Sequence, residues 1–66
     1  MLIRDLTQTE ADYLEVVCNF TDEELALFHQ RLKDVPLEDC AERMNVSLPT
    51  IKRLAKRISA KIIREI

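Results

Sequence analysis

Two amphipathic segments joined by a three-residue turn constrain this chain more than any other feature. Leu37–Arg57 reads LEDCAERMNVSLPTIKRLAKR, and the apolar spacing on either side of Asn45, Val46 and Ser47 predicts two helices crossing at a sharp corner. Cys40, Ala41 and Met44 share one face of the first segment, where the small Ala41 lets a second helix cross closely. The chain has no glycine, so Asn45 stands where the backbone must reverse; asparagine is the next-best residue for a left-handed conformation. Val46 fills the gap between the segments. Ser47 is an N-cap for the second, and Pro49 suits a position just inside its start, where helical N–H groups lack partners anyway. Ile51, Leu54, Ala55, Ile58 and Ile62 then continue one apolar stripe at helical spacing. This layout predicts a helix-turn-helix, whose second helix lies in the DNA major groove.

The stretch DCAERMNVSLPTIKRLAKRI resembles the helix-turn-helix of sigma-70 region 4 and of related small sigma-like proteins. The likeness lies in Ala41, in the apolar Met44, Val46, Ile51 and Leu54, and in the Val46–Ser47 turn ahead of Thr50–Ile51–Lys52. It spans roughly Thr21 to Ile62, with EELALFHQRL resembling the helix that precedes the motif. Asn45 stands where the family usually has glycine, and Pro49 where it often has a small residue. The other promoter-recognising regions of a full sigma factor have no counterpart in these 66 residues. The resemblance therefore implies a small transcriptional regulator of a bacterium or its phage, with RNA polymerase as a candidate partner, rather than a sigma factor.

The length of 66 residues bounds the chain to one small domain, below the size at which a core alone gives comfortable stability. Apolar residues make up 47% and aromatic ones only 5%, without the β-branched and aromatic alternation or glycine-rich turns of a sheet. The expected fold class is all-α, a small four-helix domain with the helix-turn-helix at its C-terminal end. No apolar run approaches the ~20 residues of a membrane span, and Arg4 and Asp5 interrupt any leader-like start. The expected location is the cytoplasm.

Charge points to a polyanion through its distribution and not its sum. The net charge is −2, yet residues 1–47 carry four basic and eleven acidic groups, for −7. Residues 48–66 carry Lys52, Arg53, Lys56, Arg57, Lys61 and Arg64 against Glu65 alone, for +5. Such polarity turns one end toward a polyanion and keeps the other away. The competing explanation is a solvated helix face whose cations suit the negative end of the helix dipole. Combined with the turn, DNA is the preferred reading.

Along the chain, Met1–Thr9 reads as a lead-in, with a Thr7-x-x-Glu10 capping box and Thr9 as the rival N-cap. Ala11, Leu14, Val17 and Cys18 follow helical spacing to Asn19, while Tyr13 and Val16 lie off that stripe. Thr21 and Glu24 form a second capping box, and Phe20 and Leu25 have the spacing of a hydrophobic staple. Asp22, Glu23 and Glu24 are explained by capping and the helix dipole, not by metal binding. This second helix should run to about Lys33 and bury Leu25, Phe28 and Leu32. Asp34–Val35–Pro36 breaks it. A third helix covers Leu37–Met44, and a fourth runs from Leu48 to near Ile66. The organisation is one domain over 1–66, with an N-terminal helix in 1–20, a support helix in 21–34 and the helix-turn-helix in 36–66. Ile63 and Ile66, beyond what one small core needs, suggest packing against the N-terminal helix or a second copy.

The candidate DNA-binding residues are Ser47, Leu48, Pro49, Thr50, Lys52, Arg53, Lys56 and Arg57. Arg53 is assigned to base reading, because its fork matches guanine O6 and N7 together. Leu48 and Pro49 suit a thymine methyl group. Ser47 or Thr50 suits a phosphate, aided by helix N-terminal N–H groups. Lys52, Lys56 and Arg57 are assigned to phosphates. One such module makes few base contacts, so a homodimer or a larger complex is expected; a symmetric dimer would place its recognition helices about 34 Å apart. The rival function is a protein-interaction module that contacts RNA polymerase or another transcription factor through the acidic two-thirds, since fold does not prove function.

Other chemistry finds little footing. Cys18 and Cys40 fall on apolar faces and read as buried, reduced thiols. With the single His29, they lack the paired spacing of a zinc site. No arrangement of nucleophile, base and orienting group is evident, and the chain is too short to promise an ordinary ligand pocket. No enzyme, cofactor or metal is expected.

Overall fold

The structure, a computed structural model, describes residues 5–65. Four helices follow one another: α1 Gln8–Val17, α2 Asp22–Leu32, α3 Leu37–Met44 and α4 Leu48–Glu65. The protein is all-α. Ile66, expected in the last turn of the fourth helix, and Met1–Arg4 of the expected lead-in lie outside the described residues.

Local chemistry sets each boundary. Thr7, not Thr9, caps α1: its hydroxyl accepts from the Glu10 N–H at 3.2 Å, and Glu10 Oε1 accepts from the Thr7 N–H at 2.9 Å. Thr21 and Glu24 repeat the same reciprocal pair at the start of α2, at 3.2 and 3.0 Å. The chain leaves α1, α2 and α3 through left-handed residues, and in place of glycine it uses Asn19 (φ 52°), Asp34 (φ 60°) and Asn45 (φ 56°). After α2, Asp34 N–H donates to Arg31 O and Val35 N–H to Gln30 O. After α3, Asn45 N–H donates to Glu42 O and Val46 N–H to Ala41 O. These are paired Schellman bonds, which satisfy the last carbonyls of each helix while the αL residue redirects the chain.

α4 is the packing spine. Its buried stripe of Ile51, Leu54, Ile58 and Ile62 packs against α1, α2 and α3, most extensively against α2. Ala11, Leu14 and Cys18 from the α1 region, Leu27 and Phe28 from α2, and Cys40 and Ala41 from α3 complete one core. Val46 lies half-buried against it, as its place between the helices requires. No helix of the described residues is long and apolar enough to cross a membrane.

The inward face of α2 differs from the expected one. Leu27 and Phe28 are fully buried, while Leu25 and Leu32 are only half-buried. The true stripe starts at a charge: Glu24, at 1% exposure, shares a face with Leu27 and Phe28 by i, i+3 and i+4 spacing. Reading apolar positions alone misses it. Phe20, expected as a staple on Leu25, packs on Phe28 with ring centroids 5.0 Å apart, and Lys61 Nζ sits 5.9 Å from its centroid.

Glu24 does more than cap its helix. Its carboxylate takes an ion pair from Lys61 of α4 as well as the Thr21 N–H, and Lys61 also donates to the Asn19 carbonyl at 3.3 Å. Burial by itself would raise the carboxyl's pKa. The Lys61 hydrogen bond and charge, with the Thr21 bonds, outweigh burial and hold it below the ordinary carboxylate range. A folded pKa below the unfolded one contributes stability above the unfolded value, about 4.3, and loses it as pH falls through the folded value.

Two predictions follow from these joints. Asn45→Ala should lower stability by about 1 kcal/mol in urea denaturation, because alanine resists the left-handed conformation, whereas Asn45→Gly should be near neutral. Glu24→Gln should cost about 1–3 kcal/mol at neutral pH. The variant's urea midpoint should then fall less than the parent's on acidification below pH ~4.

Candidate nucleic-acid interface

The corner between α3 and α4 is built by its own polar residues. Ser47 Oγ accepts a long 3.4 Å bond from the Thr50 N–H, and the Ser47 and Thr50 hydroxyls lie 2.9 Å apart. Ile51 N–H donates to Ser47 O at 3.1 Å. Pro49 is exposed within the first turn of α4, whereas Leu48 and Thr50 are half-buried. Of the two candidates for a thymine methyl, Pro49 is thus the better presented.

Burial of Ile51, Leu54 and Ile58 turns the opposite face of α4 outward. That face carries Lys52, Arg53, Lys56 and Arg57, all exposed. Their side chains make no ion pair or hydrogen bond to other described residues. They form two like-charge i, i+4 pairs, Lys52 with Lys56 and Arg53 with Arg57. Each such pair disfavours the helix by about 0.2–0.5 kcal/mol. The arrangement costs stability within the chain and is relieved by an external anion.

The sequence-predicted residues Ser47, Leu48, Pro49, Thr50, Lys52, Arg53, Lys56 and Arg57 therefore lie on one turn and the first half of one helix. Lys61, counted with the basic end of the chain, is not available in the same way: it turns inward to Glu24. Its inward position depends on packing between α2 and α4, so charge counting could not separate it from the outward four. On α3, the exposed Glu38, Asp39 and Glu42 outnumber the exposed Arg43.

The rest of the surface offers different chemistry. His29 is exposed on α2 and pairs with Glu15 of α1. Among the described residues, no three His, Cys, Asp or Glu side chains converge on a metal-sized point. Cys18 and Cys40 are free and buried, and burial pushes both thiols up from their ordinary pKa. An open concavity of about 650 Å³ lies beside the start of α1 and the end of α4, lined by Leu6, Tyr13 and Leu14 among others.

The like-charge pairs can be measured without any ligand. Lys56→Gln should raise stability at low salt by a few tenths of a kcal/mol, with the gain shrinking as added salt screens the parent's repulsion. Comparisons with known proteins bring no further assignment: no protein-family model, no curated protein and no solved structure matches the chain.

Proposed function

We propose that the chain binds duplex DNA through α4 and acts in transcription regulation. The single observation that carries the reading is the row of Lys52, Arg53, Lys56 and Arg57, exposed and unpaired on one helical face directly after a tight two-helix corner. The resemblance of this stretch to sigma-70 region 4 supports the same reading and makes RNA polymerase in a bacterial or phage-infected cytoplasm a proposed partner.

In this mechanism the first half of α4 enters the major groove. Arg53 reads guanine with its two-pronged guanidinium, and Pro49, with the partly exposed Leu48, meets a thymine methyl. Lys52, Lys56 and Arg57 grip phosphates, setting register and affinity more than sequence preference. Ser47 and Thr50, hydrogen-bonded to each other, present their hydroxyls at the start of α4 to a phosphate oxygen.

The second reading, a protein-interaction module, is favoured by the exposed acidic groups of α3, Glu38, Asp39 and Glu42. Fluorescence anisotropy with a labelled random duplex separates the two. About four phosphate contacts predict log affinity falling against log salt with a slope of about −3 to −4. Lys52→Ala with Arg53→Ala should abolish binding while leaving helicity intact. An absence of binding at ~50 mM salt, where counterion release favours it most, overturns the DNA reading in favour of the acidic surface.

A further inference from the structure

The exposed large apolar side chains among the described residues are Tyr13, Val16 and Ile63. Tyr13 and Val16 lie i, i+3 on α1, and Ile63 lies in the last turn of α4. Tyr13 also helps line the concavity of about 650 Å³, together with the apolar Leu6 and Leu14. Among the described residues, the lining of the same concavity also holds the carboxylates of Asp5, Glu10 and Glu65 and no cation. It therefore suits an apolar group that carries a positive charge beside it. Ile63, 70% exposed, and the exposed Arg64 supply that pair of groups in the last turn of α4, the turn that also carries the lining residue Glu65.

We propose that this corner is the interface with a second copy of the chain. Ile63 of each copy rests against Tyr13 and Leu6 of the other, and Arg64 of each faces the other's acidic rim. A two-fold interface requires one patch to present both complementary features. Here Glu65 lines the concavity, and Ile63 and Arg64 immediately precede it in the same turn of α4. Charge complementarity selects the occupant: a partner's acidic surface is repelled by the rim, whereas a partner's α4 end brings a cation. The interface leaves Lys52–Arg57 uncovered. Arg53 lies about 15 Å along the helix from Ile63 at about 1.5 Å per residue. Two helices running in opposite directions from a shared end would place their basic faces up to about 30 Å apart, near the ~34 Å between successive major grooves. Only that spacing rests on the DNA-binding reading; association itself is tested without DNA.

The test is sedimentation equilibrium of the full chain, from low micromolar to near-millimolar concentration at low salt. The expected result is a concentration-dependent shift from monomer to dimer. Ile63→Glu and Arg64→Glu should each weaken association at least ten-fold with the helical circular-dichroism signal unchanged. Arg64→Lys, which keeps the cation, should retain most of the association. A chain that stays monomeric throughout overturns the proposal and leaves the concavity to an unlike partner. A dimer indifferent to Ile63→Glu, or an Arg64→Lys variant no better than Arg64→Glu, places the interface elsewhere and overturns it equally. DNA anisotropy on Ile63→Glu separates the two readings, since a monomer with its basic face intact still binds random duplex with the same salt slope.

Discussion

Burial of the apolar stripe of α4 is the constraint on which the other features depend. Ile51, Leu54, Ile58 and Ile62 are each buried, and full burial of such a side chain contributes about 1.5–3 kcal/mol. In a chain of 66 residues, with a core too small to spare any of them, the helix cannot rotate about its axis without exposing part of that stripe. Fixing the inward face fixes the outward one. Lys52, Arg53, Lys56 and Arg57 are thereby held on a rigid helix with their charges in water, not scattered on a mobile tail.

The same burial sorts the cations of α4 into two kinds. Lys61 lies at the edge of the buried stripe, within reach of α2, and meets a carboxylate that is itself almost fully enclosed. The pair also draws in the Asn19 carbonyl and the Phe20 ring, tying the α1–α2 connection to the middle of the molecule. The outward cations have no such partner and repel one another along the helix. Lys61 is engaged in the fold, whereas Lys52, Arg53, Lys56, Arg57 and Arg64 keep their charges exposed.

Much of the architecture was legible before any coordinates. Thr21 with Glu24, and Thr7 with Glu10, announced two helix starts because capping is settled within four residues. Asn45 announced the corner because few side chains tolerate a left-handed backbone. The alternation of α4 pointed directly to its buried face. Less legible was α2, where Leu25 and Leu32 were expected inside and Leu27 took their place. Its inward stripe begins at Glu24, and a glutamate does not read as core until its lysine is known.

Glycine's absence gave a further partial signal. Three helix exits use asparagine or aspartate at positive φ, yet only Asn45 was recognisable as one, because it alone stood between two clear amphipathic patterns. The sequence by itself determined the number of helices, the cap of α2 and the outward row of Lys52, Arg53, Lys56 and Arg57, since each is decided by neighbours within one or two turns; at α1 it left Thr7 and Thr9 both open. Tertiary structure alone decided that Lys61 leaves that row for Glu24, and that Tyr13 and Glu65 share one concavity. Those outcomes join residues from different helices, 37 positions apart for the ion pair, and no local periodicity records which helix faces will meet.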